Sequence, residues 1–271
     1  MTTQFTFCVS HKVPLVPEHL YDCAVGLGEY WPDRGIHIST LDPYWHQMRR
    51  LAYGAAGSYA LPHAIRAKAA STRLVGLFTY RKIVVRGDAS SSADYEYQRV
   101  ISITASERVG RQDILPADGL EYLVPTPLEC PRGLIREYVE CHRAVDLFDY
   151  ISIAVQLGII GPADVDEFSR EMAFIPGGCE LGVYPSAWLE ATLRQLAVLG
   201  KEFLNRHGRR ILDYDKYQVR AVGFLSERLG SYLLRRELHA LYPDGIPEAI
   251  FGWMCTIVPD DTPYSPGMAD D

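Results

Sequence analysis

Two predicted strands in the N-terminal half of the chain end in polar and basic side chains. Residues 74–78 (LVGLF) are an almost unbroken apolar run, which predicts a short buried strand. The side chains of Tyr80, Arg81 and Lys82 follow this run. Two cations and an aromatic ring at the end of a strand are suited to binding an anionic ligand such as a phosphate. The alternative is a β-hairpin with an exposed basic edge, because residues 83–85 (IVV) would continue the strand.

The first predicted strand ends in a similar way. Residues 2–9 (TTQFTFCV) are rich in Thr, Phe and Val, as β-strands are, and His11 and Lys12 follow almost at once. Pro14 and Pro17 then prevent regular structure from continuing. Ligands of open α/β sheets bind outside the carboxyl ends of strands, so the two basic pairs would meet at one edge of a sheet. A solvated turn is the alternative for His11 and Lys12.

Composition excludes several classes of protein. The chain has 271 residues, of which 48% are hydrophobic and 23% charged, as in ordinary globular proteins of one large or two small domains. A net charge of -7 argues against a general nucleic-acid-binding role. The six cysteines have no metal-finger spacing, and without a signal-peptide pattern we expect reduced thiols and a cytoplasmic location. No apolar run approaches the roughly 18 residues that a membrane-spanning helix needs.

The second half of the chain is predicted to be mainly helical. Residues 133–157 carry apolar side chains three or four positions apart, and residues 213–238 show a similar stripe. In the first helix, His142 and Asp146 are four residues apart and would share one face. An imidazole oriented by a carboxylate could act as a catalytic base or bind a substrate. A histidine satisfied within the core is the alternative.

Four segments, taken in order, resemble a known family. They are SHK at 10–12, VGLFTYRK at 75–82, YVECHRAVD at 138–146 and YQVRAVGFLSERL at 217–229. Their order and spacing resemble the bacterial glycosyltransferases of capsular polysaccharide clusters, a family long filed as a domain of unknown function and known by its HYRR and GFLxERL motifs. The GFLSERL segment is the most specific. Thr79 stands where that family has the His of HYRR, and GCEL at 178–181 lacks the Asn of its Asn-Met-Phe segment.

The resemblance implies a GT-A-like α/β fold. A nucleotide-sugar-binding sheet would occupy the N-terminal half of the chain, and the C-terminal half would be mainly helical. Residues 1–255 would form a single glycosyltransferase-like domain, with a nucleotide-binding α/β part at 1–127 and a helical acceptor-side part at 128–255. Residues 256–271 are acidic and rich in proline, and we expect them to be a disordered tail.

The function implied by the resemblance is sugar transfer. The donor would be a nucleotide-sugar, UDP-hexose or UDP-galactofuranose, and the acceptor a glycan or lipid-linked glycan in surface polysaccharide synthesis. We expect no nucleic-acid partner, and the cytoplasmic location leaves open a peripheral position at the inner face of the membrane. The alternative is a non-catalytic nucleotide-sugar or glycan-binding protein of the same fold.

The residue chemistry fits this resemblance. Cations would hold the diphosphate and stabilise it as the glycosidic bond breaks, and a ring would stack on the base. The predicted donor-binding residues are His11, Lys12, Tyr80, Arg81 and Lys82. Glu227 is a candidate general base for the acceptor hydroxyl, with an ion pair to Arg220 or Arg228 as the alternative. The predicted lining of the acceptor side consists of Gly177, Gly178, Arg220, Gly223 and Arg228.

A possible metal-binding motif occurs at residues 213–215 (DYD). Many nucleotide-sugar transferases hold a divalent metal with a D-x-D pattern. Here the pattern lies at the start of a predicted late helix, where Asp is favoured as a cap. We therefore assign no metal ligand and expect no required cofactor, with Mn²⁺ or Mg²⁺ as the alternative.

Overall fold

The structure of this protein is a computed structural model that describes residues 4–87 and 98–260, together with the backbone of residues 93–95. The strands in this part of the chain are β1 (Gln4–Ser10), β2 (Cys23–Gly26), β3 (Gly35–His37), β4 (Leu74–Thr79), β5 (Lys82–Val85), β6 (Ala93–Tyr95), β7 (Gln98–Ser102), β8 (Val124–Pro125), β9 (Leu128–Glu129), β10 (Ala173–Phe174), β11 (Gly182–Pro185) and β12 (Phe251–Val258). The α-helices are α1 (Ile38–Leu41), α2 (Pro43–Gln47), α3 (Arg49–Ala52), α4 (Ala55–Lys68), α5 (Ile103–Ser106), α6 (Leu134–Cys141), α7 (Ala144–Gln156), α8 (Pro162–Ser169), α9 (Ser186–Leu212) and α10 (Ala221–Leu241).

A ten-stranded mixed sheet organises the described part of the chain, and β9 and β10 pair separately from it. Its main strand order is β3-β2-β1-β4-β5-β12-β7-β6, with β11 also paired to β4 and β8 to β12. Strands β1 to β4 are parallel, whereas β5 is antiparallel to both β4 and β12. The strand order changes direction at β1, since β2 and β3 lie on one side of it and β4 on the other. Such a switch point opens a crevice at the carboxyl ends of the strands.

Apolar side chains of the sheet supply two cores. In β1, Phe7 and Val9 belong to the larger core and Cys8 to the smaller one, as the alternation of a strand requires. The larger core is covered by α4, α9 and α10, whose apolar stripes face the sheet. Gly200 of α9 lets α9 and α4 pack closely, because a Cβ there would lie 2.8 Å from the ring of Tyr59 in α4.

The predicted α/β fold class is confirmed, with helices dominating the C-terminal half. The predicted tail boundary is wrong, because residues 256–258 belong to β12. Thr256 is buried, and its hydroxyl donates to Oε1 of Gln98 at 2.8 Å. β12 lies between β5 and β7 in the sheet, so a domain limit at residue 255 would cut a central strand. Residues 261–271 lie outside the described residues.

No helix in the described part of the chain is long and apolar enough to cross a membrane.

Candidate active site

The carboxyl ends of β1 and β4 lie side by side. Their register pairs Val9 with Thr79, so the segments that follow the two strands begin at the same edge of the sheet. The rings of His11 and Tyr80 are 5.3 Å apart, and Nζ of Lys12 is 6.0 Å from the centre of the Tyr80 ring. The two strand ends that sequence analysis singled out therefore form one cluster.

This cluster borders a cavity of about 140 Å³. Its lining residues are Val9, His11, Leu27, Gly54, Ser58, Thr79, Tyr80, Arg81, Lys82 and Glu180. Tyr80 and Arg81 form a two-residue turn between β4 and β5, so the hairpin alternative is correct for the backbone. The turn is not an exposed edge, because Tyr80, Arg81 and Lys82 are half-buried and line the cavity. Lys12 is exposed and lies outside this lining.

A second cavity of about 500 Å³ adjoins the first. The two share four lining residues, namely Gly54, Thr79, Lys82 and Glu180. Five residues predicted from sequence also line the larger cavity: Gly177, Arg220, Gly223, Glu227 and Arg228. Side chains separated by about 140 positions thus surround one cleft, in which Lys82 of the hairpin and Glu180 line both cavities and Glu227 lines the larger one.

Glu227 is held in place on the wall of the larger cavity. Its Oε1 accepts a hydrogen bond from the backbone N–H of Gly177 at 2.7 Å, and its Oε2 accepts one from Nη1 of Arg228 at 2.7 Å. The ion pair weighed as an alternative to a catalytic role is therefore present, while the side chain still faces the cavity. Both oxygens of Glu227 already have a partner.

Arg228 joins Glu227 to a second carboxylate. Nη2 of Arg228 donates to both oxygens of Glu137, at 2.7 and 3.0 Å, and the guanidinium lies 4.9 Å from the ring centre of Phe174. Arg228 is only 6% exposed. Its charge is therefore compensated within the protein, which makes it an anchor of the cavity wall.

Arg220 is placed differently. It ends a 3-10 turn before α10, and its guanidinium lies 5.4 Å from the ring centres of both Tyr53 and Phe224. This arrangement holds a cation on the cavity wall by contact with aromatic faces. Tyr53 itself has a φ of 47°, which is uncommon for a residue other than glycine. Tyr53 could not be identified from the sequence, because nothing in its local pattern indicates that backbone conformation.

The three predicted glycines differ in their surroundings, because a Cβ at Gly177 would lie 2.8 Å from Cβ of Leu181, whereas Gly223 faces open space. A Cβ at Gly223 would lie 3.9 Å from the carbonyl oxygen of Ala52, its nearest neighbour outside the helix, so this glycine leaves space at the wall of the larger cavity. Gly178 does not line the cavity. Its φ is 54°, and a Cβ there would lie 2.6 Å from the carbonyl oxygen of Glu227. Gly178 therefore permits the 177–178 turn to pack against the backbone of α10.

His142 and Asp146 are not brought together at the cleft. The expected single helix is two, α6 and α7, and His142 lies extended between them, so the prediction of a shared helix face is wrong. The imidazole stacks on Phe224, with ring centres 4.1 Å apart. Asp146 is 1% exposed, and its Oδ1 accepts hydrogen bonds from Arg210 at 2.6 Å and Tyr214 at 3.1 Å. Neither side chain lines the two cavities, so the geometry places His142 in the core, where its Nδ1 has no hydrogen-bond partner among the described residues.

The buried imidazole predicts an acid-sensitive contribution to stability. Burial, and then the nearby Arg228 cation, lower the pKa of His142 to about 4. The unfolded chain would bind this proton near pH 6.5, so the free energy of unfolding falls as the pH drops from about 6.5 to about 4, by up to about 3 kcal/mol. We expect His142→Phe to remove this loss. Urea denaturation at pH 7.5 and pH 4.5 measures it, with the exposed His239→Gln as a control. An identical acid loss in wild type and His142→Phe would contradict the assignment.

Glu180 is the main residue that sequence analysis did not identify. It lines both cavities, and burial raises the pKa of its carboxyl group to about 8, as does the Glu227 carboxylate. The hydroxyls of Ser58 and Ser226 lower the pKa of this carboxyl group, but by less. One signal was available, because Glu180 is an isolated charge between the apolar residues Cys179 and Leu181.

The described residues contain no group of three or more His, Cys, Asp or Glu side chains arranged to hold a metal ion. Asp213 follows the end of α9, and α10 begins only at Ala221. The carboxylate of Asp215 accepts hydrogen bonds from the backbone N–H groups of Tyr217 and Gln218, both at 2.8 Å. Asp215 therefore caps the turn that precedes α10, in agreement with the capping interpretation.

Comparison with known proteins identifies the fold. No protein-family model matches the chain, and no curated protein matches it. A solved structure, the apo form of the WbbM bifunctional glycosyltransferase, matches with a TM-score of 0.72 at 12% sequence identity. The match covers 94% of this chain and 45% of that chain, so this chain spans less than half of that protein's length. The chain therefore has a glycosyltransferase-like fold.

Proposed function

We propose that this protein is a glycosyltransferase that moves a sugar from a nucleotide-sugar donor to a hydroxyl group of an acceptor. One observation carries the proposal: the ends of β1 and β4 place His11, Arg81 and Lys82 at a cavity that opens into a larger one bearing carboxyl groups. The fold shared with part of a glycosyltransferase supports it.

The two cavities suit the diphosphate of the donor and the site of sugar transfer, respectively. A nucleoside diphosphate needs positive charge to bind and to leave, and the hairpin cations supply that charge. Tyr80, beside His11, would offer a face for the base. The larger cavity would hold the transferred sugar and the acceptor hydroxyl, next to the carboxyl groups of Glu180 and Glu227.

The donor and the acceptor are proposed from the motif resemblance. The donor would be UDP-hexose or UDP-galactofuranose, and the acceptor a glycan or lipid-linked glycan in surface polysaccharide synthesis. The protein would act in the cytoplasm or at the inner face of the membrane. The capsular-type family itself remains a prediction from the motifs.

Nucleotide release tests the proposal. Purified protein is incubated with UDP-, GDP- and dTDP-sugars, with and without octyl glycosides as hydroxyl acceptors, and released nucleoside diphosphate is measured. We expect release from one donor class that increases with acceptor. Tight nucleotide binding without release from any donor would favour the non-catalytic binding protein.

We also propose that the reaction does not require a metal ion. Nucleotide release should therefore survive EDTA. Complete loss of release that Mn²⁺ restores would contradict metal independence.

Lys82 is predicted to bind the diphosphate. Its side chain lines both cavities, so it lies where the diphosphate would meet the transferred sugar. A hydrogen bond to a charged group contributes about 1.5–3 kcal/mol, so Lys82→Met should weaken UDP binding roughly 10- to 100-fold. Isothermal titration calorimetry measures the effect, with the exposed Lys68→Met of α4 as a control. Unchanged UDP affinity in Lys82→Met would show that the nucleotide lies elsewhere.

A further inference from the structure

The two carboxyl groups at the larger cavity are held in different ways. The oxygens of Glu227 accept hydrogen bonds from Gly177 and Arg228, which fix its position and compensate its charge. In contrast, Oε1 of Glu180 is buried and has no hydrogen-bond partner among the described residues. An oxygen that is to receive a proton must not already be committed to a hydrogen bond, and Oε1 of Glu180 meets that requirement in a side chain that lines both cavities.

Glu180 also occupies the position that the chemistry requires. It lines both cavities, together with Thr79 and Lys82 from the hairpin. If the diphosphate occupies the cation-lined cavity, the anomeric carbon of the donor lies where the two cavities meet. The acceptor oxygen must approach that carbon from the larger cavity, so its proton is released near Glu180.

We propose that Glu180 is the catalytic general base of the transfer reaction, and that Glu227 is a positioning residue that holds Gly177 and Arg228. This inference rests on the proposed function. An oxygen of Glu180 takes the proton of the acceptor hydroxyl as the acceptor oxygen bonds to the anomeric carbon. The bond between that carbon and the diphosphate oxygen breaks, and its electron pair leaves with the nucleoside diphosphate. Solvent later takes the proton from Glu180.

The groups around Glu180 determine when it is ionised. Glu227 of α10 faces it with negative charge, and Lys82 of β5 lines the same cavities with positive charge. Tyr59 of α4 and Tyr150 of α7 lie close behind it, and its carboxylate helps to raise the pKa of both phenols. Burial and Glu227 together raise the pKa of Glu180 to about 8. The basic form therefore becomes populated as the pH rises toward 8 and above.

The pH dependence of turnover tests the assignment. With the active UDP-sugar and an octyl glycoside, wild-type kcat/KM should rise about tenfold per pH unit below pH 8 and level off above it. Glu180→Gln should lose about 100-fold or more in kcat at pH 8.5 and lose the pH-dependent rise. Its UDP affinity should stay within about threefold of wild type, because the base acts on the acceptor proton. The kcat of Glu180→Asp, which keeps the carboxyl group, should lie between the values of the wild type and Glu180→Gln.

Glu227→Gln separates the two glutamates. Because Glu227 raises the pKa of Glu180, its neutral variant should keep the pH-dependent rise but shift it to lower pH. The exposed Glu248→Gln is the matched control and should leave the profile unchanged. Wild-type turnover in folded Glu180→Gln, or loss of the rise only in Glu227→Gln, would overturn the assignment of the base. Absence of turnover in the wild type with every donor would instead overturn the proposed function.

Discussion

Replacing Arg228 by methionine is expected to lower the free energy of unfolding by about 3 kcal/mol at pH 7. Arg228 is 6% exposed and donates to Glu137 at 2.7 and 3.0 Å and to Glu227 at 2.7 Å. Methionine fills much of the same volume but removes the charge. Two partly buried carboxylates would then repel each other without a cation between them, and their desolvation would be uncompensated.

Denaturation of a set of variants tests this explanation. Urea unfolding of Arg228→Met at pH 7 measures the loss of stability. The triple variant Arg228→Met, Glu137→Gln, Glu227→Gln should regain most of the lost stability. Arg170→Met, which breaks an exposed ion pair with Asp166, should change the stability by less than about 0.5 kcal/mol. A triple variant as unstable as Arg228→Met would show that packing of the guanidinium, rather than charge, carries the effect.

Replacing Gly178 by alanine is expected to lower the free energy of unfolding by a similar amount, about 3 kcal/mol. The backbone there has a φ of 54°, which costs a residue with a Cβ about 1–2 kcal/mol. The new methyl group would lie 2.6 Å from the carbonyl oxygen of Glu227 and 3.1 Å from the backbone nitrogen of Ser231. Helix backbone cannot move away as a flexible side chain can, and overpacking of this kind costs about 1–3 kcal/mol more.

The same substitution should also disturb the cleft. Moving the turn away from α10 would weaken the hydrogen bond from Gly177 to Glu227, so we expect nucleotide release to fall together with the melting temperature. Gly208→Ala in α9 is a matched control, because its Cβ would have no atom within 4 Å. That variant should be as stable as wild type or more stable by about 0.5–1 kcal/mol. Gly178→Ala with an unchanged melting temperature would show that the turn can shift at little cost.

Several features of the cleft could be predicted from the sequence because they depend on neighbouring residues. The apolar run that ends in Tyr80, Arg81 and Lys82 predicts both a strand and its basic end. His11 follows a second strand in the same manner. A parallel pairing of those strands brings their ends to one edge whatever the rest of the chain does. The spacing of three and four residues likewise puts Arg220, which immediately precedes α10, on the same side as Gly223 and Glu227 of that helix.

Features that depend on distant partners could not be predicted in this way. His142 and Asp146 are four residues apart, but stacking on Phe224 and bonding to Arg210 place them in separate surroundings. β12 is an ordinary apolar segment in the sequence, and only its pairing with β5 and β7 makes it central to the sheet. Pairing partners far along the chain are selected by burial and register, which a local pattern does not contain.

The sequence by itself determined that two strands end in cations and that a helix carries Glu227. Only the tertiary structure decided which carboxyl group keeps an oxygen without a hydrogen-bond partner among the described residues, the observation behind our proposal for Glu180. Glu227 is held because the turn at Gly177 and the side chain of Arg228 both reach it. Glu180 is left with a buried oxygen that lacks a hydrogen-bond partner among the described residues, at the meeting point of two cavities. The physical reason is that ionisation and hydrogen bonding depend on what surrounds a side chain in space, and that environment exists only after folding.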